Sequence, residues 1–244
     1  MAPDRAVIAC LGSSATAAKG SYDWIGDLQS RPENAAKRFL NFGVGGDLAY
    51  NALQRLPAVA RCNPGTVVVL IGGNDILTRA SRKLRRFLAG WKRFPHEPTS
   101  GWYEENLRCI ARELKGRLGT TVALCSLQPM GEDPGSQDPF QSRLNELVHD
   151  YSAIVQRVAR EENAVYIPFY ERFSDAIRGS PGPALTDIKI LSMYRDAFRH
   201  FVLGWNLDRI AERNGWRFHT DGIHLNSRGG KILADLVQLF LATG

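Results

Sequence analysis

Five short apolar runs, separated by longer stretches with helical periodicity, constrain the fold of this chain most strongly. The third run is the clearest, because residues 67–71 (Val-Val-Val-Leu-Ile) are all apolar and show no alternation with polar residues. Strands that are apolar on both faces are typical of a parallel sheet covered by helices on both sides. The predicted strands are 6–11, 38–42, 66–71, 121–126 and 164–167. The pattern therefore predicts an α/β fold made of βα units, with the third strand at the centre of its sheet.

Two helices are predicted from apolar residues that recur at steps of three and four. Between strands four and five this stripe consists of Leu144, Leu147, Val148, Tyr151, Ile154, Val155 and Val158. After about Arg228 it consists of Ile232, Leu233, Leu236, Val237, Phe240 and Leu241. Each stripe is expected to pack on the sheet.

Two segments exceed what a minimal five-stranded α/β domain needs. They cover about 79–100, after the third strand, and about 170–216, before the final helix. A chain of 244 residues fits one large α/β domain, so we predict a single domain over 1–244 with two insertions. The second insertion has apolar residues at helical spacing from Leu191 to Trp205, which we expect to line part of a pocket.

The positive charge of the chain is concentrated in the first insertion. The net charge is +6, and between Asp75 and Glu97 the chain has basic residues and no acidic one. The same segment has apolar residues at helical spacing: Leu84, Phe87, Leu88 and Trp91. This pattern predicts an amphipathic helix over 79–94. The helix either contacts a membrane surface or an anionic substrate, or it packs on the protein with its charges in water. We favour packing, and no further motif indicates nucleic-acid binding.

The cysteines and the hydropathy bear on the compartment. Cys10, Cys62, Cys109 and Cys125 are far apart and form no C-x-x-C pair, which argues against a zinc site and a disulfide framework. No apolar run approaches the roughly 18–20 residues that a membrane-spanning helix needs. We therefore expect a cytoplasmic protein, with a leader removed ahead of Met1 as the alternative.

Polar residues directly follow three of the predicted strands, at the edge where parallel sheets bind ligands. These blocks are 12–16 (Gly-Ser-Ser-Ala-Thr), 41–47 (Asn-Phe-Gly-Val-Gly-Gly-Asp) and 72–75 (Gly-Gly-Asn-Asp). A fourth block, 221–224 (Asp-Gly-Ile-His), precedes the final helix. Together they supply a hydroxyl, a base with a carboxylate and several N–H donors, which are the parts of an acyl-transfer site.

The chemistry assigns a role to each of these residues. Ser14 is the predicted nucleophile, His224 takes its proton, and Asp221 fixes the tautomer of the imidazole. The predicted oxyanion hole consists of the N–H of Ser14, the N–H of Gly46 and the side-chain NH2 of Asn74. Two other carboxylates, Asp47 and Asp75, are interpreted as structural. The remaining histidines, His96, His149, His200 and His219, are expected in solvated or capping roles. No metal site is predicted.

The order and wording of the four blocks resemble the SGNH (GDSL-type) hydrolase family, whose marker residues are Ser, Gly, Asn and His in separate blocks. The resemblance runs from about residue 12 to 226 and carries the same roles over to Ser14, Gly46, Asn74, Asp221 and His224. It implies a flavodoxin-like three-layer α/β/α sandwich with a five-stranded parallel sheet in the order 2-1-3-4-5. It also implies that no metal or organic cofactor is needed.

One position departs from the family pattern, which usually has Asp immediately before the nucleophile. Here Ser13 occupies that position, so two hydroxyls are adjacent. We assign Ser14 because Thr16 follows it by two residues as in the family pattern, with Ser13 as the alternative. The predicted function is a serine esterase that hydrolyses short acyl or acetyl esters of small molecules through an acyl-enzyme. The alternatives are a catalytically poor carbohydrate- or lipid-binding protein and an acyltransferase with the same residues; the oligomeric state stays open.

Overall fold

The computed structural model describes residues 6–188 and 190–243. Its strands form one parallel sheet in the order β2-β1-β3-β4-β5. The strands are β1 (Ala6–Gly12), β2 (Lys37–Gly43), β3 (Thr66–Leu70), β4 (Thr121–Cys125) and β5 (Val165–Ile167). Every predicted strand begins and ends within one residue of its observed bounds. The predicted α/β fold with this strand order is confirmed.

Helices cover the sheet. They are α1 (Ser14–Ala17), α2 (Trp24–Ser30), α3 (Ala49–Gln54), α4 (Leu56–Ala60), α5 (Gly73–Ala80), α6 (Arg82–Lys92), α7 (Ser100–Leu118), α8 (Pro139–Glu161), α9 (Phe169–Gly179), α10 (Ile190–Phe201), α11 (Leu207–Asn214) and α12 (Ser227–Thr243). Helix α7 packs beside α3 and α8, whereas α12 packs beside α2 and α9. The helices predicted between strands four and five and after about Arg228 correspond to α8 and α12, and their apolar stripes contribute to the core.

The core lies on the central strand, as the sequence predicts. Residues 67–70 of β3 are at most 3% exposed. Strand β3 pairs with β1 on one side and with β4 on the other. Both rows of its side chains are apolar and buried, as expected for a strand whose two faces are covered by helices.

The insertions differ from the predictions in detail. The segment 170–216 was predicted as a loop and one helix, but it contains most of α9 as well as α10 and α11. In the first insertion, α6 packs on the protein through Leu84 and Leu88, whereas Phe87 and Trp91 remain 45% and 57% exposed. The stripe on α6 is therefore only half buried.

Within the described residues, no helix is both long enough and apolar enough to cross a bilayer. All four cysteines are free thiols. Burial raises the pKa of the Cys10 and Cys125 thiols far above its ordinary value, while Cys62 and Cys109 are partly exposed.

Candidate active site

Sheet register brings the predicted site residues to one edge. Gly12, the last residue of β1, pairs with Gly43 on one side and with Leu70 on the other. The loops that follow β1, β2 and β3 therefore leave the sheet side by side. These three loops carry the first three polar blocks of the sequence.

Ser14 lies in the turn from β1 into the short helix α1. It is the first residue of α1, and Ser13 occupies the N-cap position, so Ser14 is not itself the cap. The Ser13 side chain is buried and makes no capping hydrogen bond. The Ser14 hydroxyl is partly exposed and lies 3.0 Å from Nε2 of His224. Of the two adjacent serines, Ser14 is the one that contacts the imidazole.

His224 and Asp221 form the other half of the site, in the loop before α12. Nδ1 of His224 lies 2.8 Å from Oδ2 of Asp221. The second carboxylate oxygen, Oδ1, accepts hydrogen bonds from the backbone N–H of His224 at 2.8 Å and of Ile223 at 3.0 Å. Three donors thus fix the carboxylate, and the carboxylate fixes the ring that faces Ser14.

The side chains of His224 and Asp221 are 15% and 12% exposed, and each shifts the pKa of the other. Burial alone would raise the pKa of Asp221, but the neighbouring His224 and the hydrogen bonds lower it to about 2. Burial alone would lower the pKa of His224, but the charge of Asp221 and their hydrogen bond raise it above the ordinary 6.5. The pair therefore consists of a permanently ionised carboxylate and an imidazole that readily accepts a proton.

Gly46 and Asn74 lie on the two neighbouring loops. Gly46 has φ +79°, and a Cβ on it would come within 2.6 Å of the Trp91 ring, so the loop requires glycine at this place. Asn74 lies in the first turn of α5, and its Nδ2 donates to the backbone oxygen of Asp47 at 2.9 Å. This bond joins Asn74 to the residue next to Gly46 and leaves the second amide hydrogen for a ligand.

A buried ionic network holds the loop that carries Gly46. Asp47 is 3% exposed and accepts from Arg55 and from Lys92, each at 2.8 Å. Arg55 also donates to the backbone oxygens of Gly12 and Phe42, at 3.2 and 2.9 Å. Arg55 thus joins the end of β1 to the end of β2, a role that the sequence analysis missed.

Asp75 has a different environment. It is 1% exposed, and its Oδ2 accepts from the backbone N–H of Ala49 at 3.1 Å. Burial, which outweighs this hydrogen bond, raises the pKa of Asp75 to about 7. The side chain joins the start of α5 to the start of α3.

A second buried pair anchors the segment that carries Asp221 and His224. Glu132, in the loop after β4, accepts from Nδ1 of His219 and from the backbone N–H of Phe218 and His219, at 2.7–2.9 Å. His219 is fully buried, so its interpretation as a solvated or capping residue is wrong. Its Nε2 lies 2.9 Å from the backbone oxygen of Pro129, so both ring nitrogens face oxygen atoms.

A cavity of about 340 Å³, here called the apolar groove, opens beside Asp221 and His224. We define it by Leu84, Phe87 and Trp91 of α6, Tyr194 and Phe201 of α10, and His224. Each insertion therefore contributes one wall of the groove, α6 from the first and α10 from the second. Among the residues that the structure describes, no group of three or more His, Cys, Asp or Glu side chains is arranged to hold a metal ion.

Solved structures of known proteins share this fold. An acetyl xylan esterase, AlAXEase, matches with a TM-score of 0.64 and 20% identity over 96% of this chain and 99% of that one. Axe2, an acetylxylan esterase from Geobacillus stearothermophilus, matches with a TM-score of 0.65 and 18% identity over 96% and 92%. LAE5, an alpha/beta hydrolase enzyme from the metagenome of Lake Arreo, Spain, matches with a TM-score of 0.64 and 17% identity over 97% and 94%. At these identities the likeness concerns the fold.

Sequence comparison gives a more specific result. No curated protein matches this chain in sequence. The model of the GDSL-like lipase/acylhydrolase family, however, matches residues 10–232, which include all four polar blocks. The chain therefore belongs to the GDSL-like lipase/acylhydrolase family, a family of carboxylic ester hydrolases.

Proposed function

We propose that this protein is a serine esterase that hydrolyses short acyl or acetyl esters through an acyl-enzyme on Ser14. The observation that carries the proposal is the unbroken hydrogen-bond chain from the Ser14 hydroxyl through His224 to Asp221, with links of 3.0 and 2.8 Å. A hydroxyl that faces an imidazole, itself oriented by a carboxylate, is the arrangement that activates serine as a nucleophile.

The first half-reaction forms the acyl-enzyme. Ser14 Oγ bonds to the ester carbonyl carbon while its proton passes to Nε2 of His224, and Asp221 stabilises the resulting imidazolium. The oxyanion of the tetrahedral intermediate accepts from the N–H of Ser14, the N–H of Gly46 and Nδ2 of Asn74. The carbon–oxygen bond to the alcohol then breaks, and His224 returns its proton to the departing alcohol.

The second half-reaction releases the acid. A water molecule gives a proton to His224 and attacks the acyl carbon, and the bond to Ser14 Oγ then breaks with transfer of the proton back to the serine. The net products are one carboxylic acid and one alcohol per ester and water consumed. Every proton that moves passes through Nε2 of His224.

The fold neighbours support these roles. The crystallised catalytic mutants of Axe2 replace a serine, an aspartate and a histidine, and in that enzyme the aspartate precedes the histidine by three positions. Asp221 precedes His224 by the same interval. The acetylxylan esterases among the neighbours also favour a small acyl group.

The two adjacent serines provide a matched test. We expect Ser14→Ala to reduce hydrolysis of p-nitrophenyl acetate to background, whereas Ser13→Ala retains it, because only Ser14 contacts His224. A fluorophosphonate probe followed by peptide mass spectrometry should locate the covalent adduct on Ser14. Retained turnover in Ser14→Ala, or an adduct on Ser13, contradicts the proposal.

A further inference from the structure

The apolar groove exposes aromatic side chains to solvent beside His224. Phe87 and Trp91 are 45% and 57% exposed, and across the groove Tyr194 and Phe201 are 61% and 62% exposed. Single exposed apolar residues are common, but a contiguous patch of them usually marks a binding surface. A volume of about 340 Å³ is in the range of small-molecule sites.

The packing of α6 indicates that these rings are not needed to hold the helix in place. Leu84 and Leu88 already anchor α6, with exposures of 8% and 3%. Phe87 and Trp91 do not share this anchoring role, and removal of their exposed apolar surface from water would be favourable. A ligand that fills the groove supplies this burial.

The groove adjoins one side of the catalytic residues. His224 and Asp221 line it, whereas Ser14, Gly46 and Asn74 do not. Trp91 lines the groove and also packs against Gly46, so its ring forms the wall towards the oxyanion loop. The groove therefore lies on the histidine side of the reacting carbon.

Ester chemistry determines which part of a substrate occupies that side. The imidazolium of His224 must reach the oxygen of the departing alcohol to protonate it. The carbonyl oxygen faces the oxyanion donors instead. The chain attached to the alcohol oxygen consequently extends away from His224, along the groove.

We propose that the apolar groove binds the alcohol part of the ester, and that the substrates are short acyl esters of hydrophobic alkyl or aryl alcohols. This inference rests on the proposed esterase function and adds the substrate class to it. A sugar alcohol fits less well, because its hydroxyls need polar partners and most of the groove is apolar. Apart from Asp221 and His224, the polar side chains that border it are Lys19, Asp196, His200 and Thr220. Asp196 already bonds to Arg199 and Asn214, each at 2.8 Å, and Nδ1 of His200 lies 2.9 Å from the backbone oxygen of Trp205.

Isomeric ester pairs test the assignment without changing total hydrophobicity. Butyl acetate is compared with ethyl butyrate, and hexyl acetate with ethyl hexanoate, by kcat/KM in a pH-stat, with ethyl acetate as the common reference. We expect kcat/KM to rise along the alcohol series by up to about fourfold per methylene, which corresponds to about 0.8 kcal/mol per buried methylene. In each pair the acetate should be the better substrate.

Substitutions in the groove provide the structural control. Phe87→Ala and Tyr194→Ala should flatten the rise along the alcohol series. Phe198→Ala should preserve it, because Phe198 lies on the same helix as Tyr194 and is 53% exposed but does not line the groove. All three side chains are substantially exposed, so the variants should fold, which melting temperatures can check.

The outcomes separate this inference from the proposed function. A flat alcohol series, a steeper acyl series, or faster hydrolysis of xylose tetraacetate than of hexyl acetate overturns the substrate class while fluorophosphonate still labels Ser14. If the folded protein is not labelled at Ser14 and hydrolyses none of the esters, the esterase proposal fails and this inference fails with it.

Discussion

Replacement of Asp221 by asparagine changes one atom next to His224 and should remove most of the catalytic rate. Oδ1 of Asp221 accepts from the backbone N–H of Ile223 and of His224, at 3.0 and 2.8 Å. In the Asp221→Asn variant these donors hold the amide oxygen at the same place, because an NH2 group there would face two other donors. The amide nitrogen must then point at Nδ1 of His224, where Oδ2 now lies at 2.8 Å.

An amide donor at that position selects the wrong imidazole tautomer. Nδ1 of His224 has to accept, so the ring proton moves to Nε2, which faces the Ser14 hydroxyl at 3.0 Å. A protonated Nε2 cannot take the proton of the nucleophile. The same change in a serine protease lowers kcat by about 10⁴-fold, which is about 5 kcal/mol at about 1.4 kcal/mol per tenfold change. We expect a loss of similar size here.

The measurement is kcat for p-nitrophenyl acetate at pH 8, together with the melting temperature. Asp235→Asn is the matched control, because Asp235 is 67% exposed and its partner Arg31 also pairs with Asp27 and not with Asp221 or His224. The control should stay within about twofold of the wild-type kcat. A folded Asp221→Asn variant whose kcat lies within about tenfold of wild type would refute the tautomer reasoning.

Three further predictions concern His224, Asn74 and Glu132. Burial disfavours charged His224, but Asp221 outweighs it, so kcat/KM should rise with pH with a midpoint above 6.5; a midpoint below that value contradicts the assignment. Asn74→Ala should lower kcat by about 10²–10³-fold, because one oxyanion donor is lost, and an effect confined to KM would argue against this role. Glu132→Ala should lower the free energy of unfolding by about 3–5 kcal/mol, because the His219 side chain and three backbone N–H groups, those of Arg217, Phe218 and His219, lose their partner. Urea unfolding measures this loss, and a decrease below about 1 kcal/mol would show that the pair is dispensable.

The sheet could be predicted from the sequence because its signal is local. Each strand is a short apolar run, and the glycine and polar residues that follow it show where the strand ends and the chain turns. The five-residue run at 67–71 identified an interior strand of the sheet, because a strand that is covered on both faces has apolar side chains in both of its rows. The pair Asp221 and His224 was equally accessible, because three residues of chain bring them within hydrogen-bonding distance.

Contacts between distant parts of the chain left no comparable signal. Glu132 and His219 are 87 positions apart, and neither lies in a pattern that indicates a buried partner. Arg55 contacts Gly12 across 43 positions and resembles any other basic residue of a helical stretch. Such residues contact each other only in the tertiary structure, so periodicity and motif spacing along the sequence cannot identify them.

The first insertion shows how one sequence pattern can serve two purposes. Its apolar stripe predicted a helix that packs on the protein, and Leu84 and Leu88 do so. The remaining rings of the stripe, Phe87 and Trp91, face the apolar groove instead, and the charge at Lys92 is used to bind Asp47. Charge and amphipathicity alone could not separate these roles, because a helix period records which residues share a face and not what covers that face. The side chains of the insertions take no part in the proton relay. We therefore expect them to determine the specificity of the protein for the alcohol part of the ester.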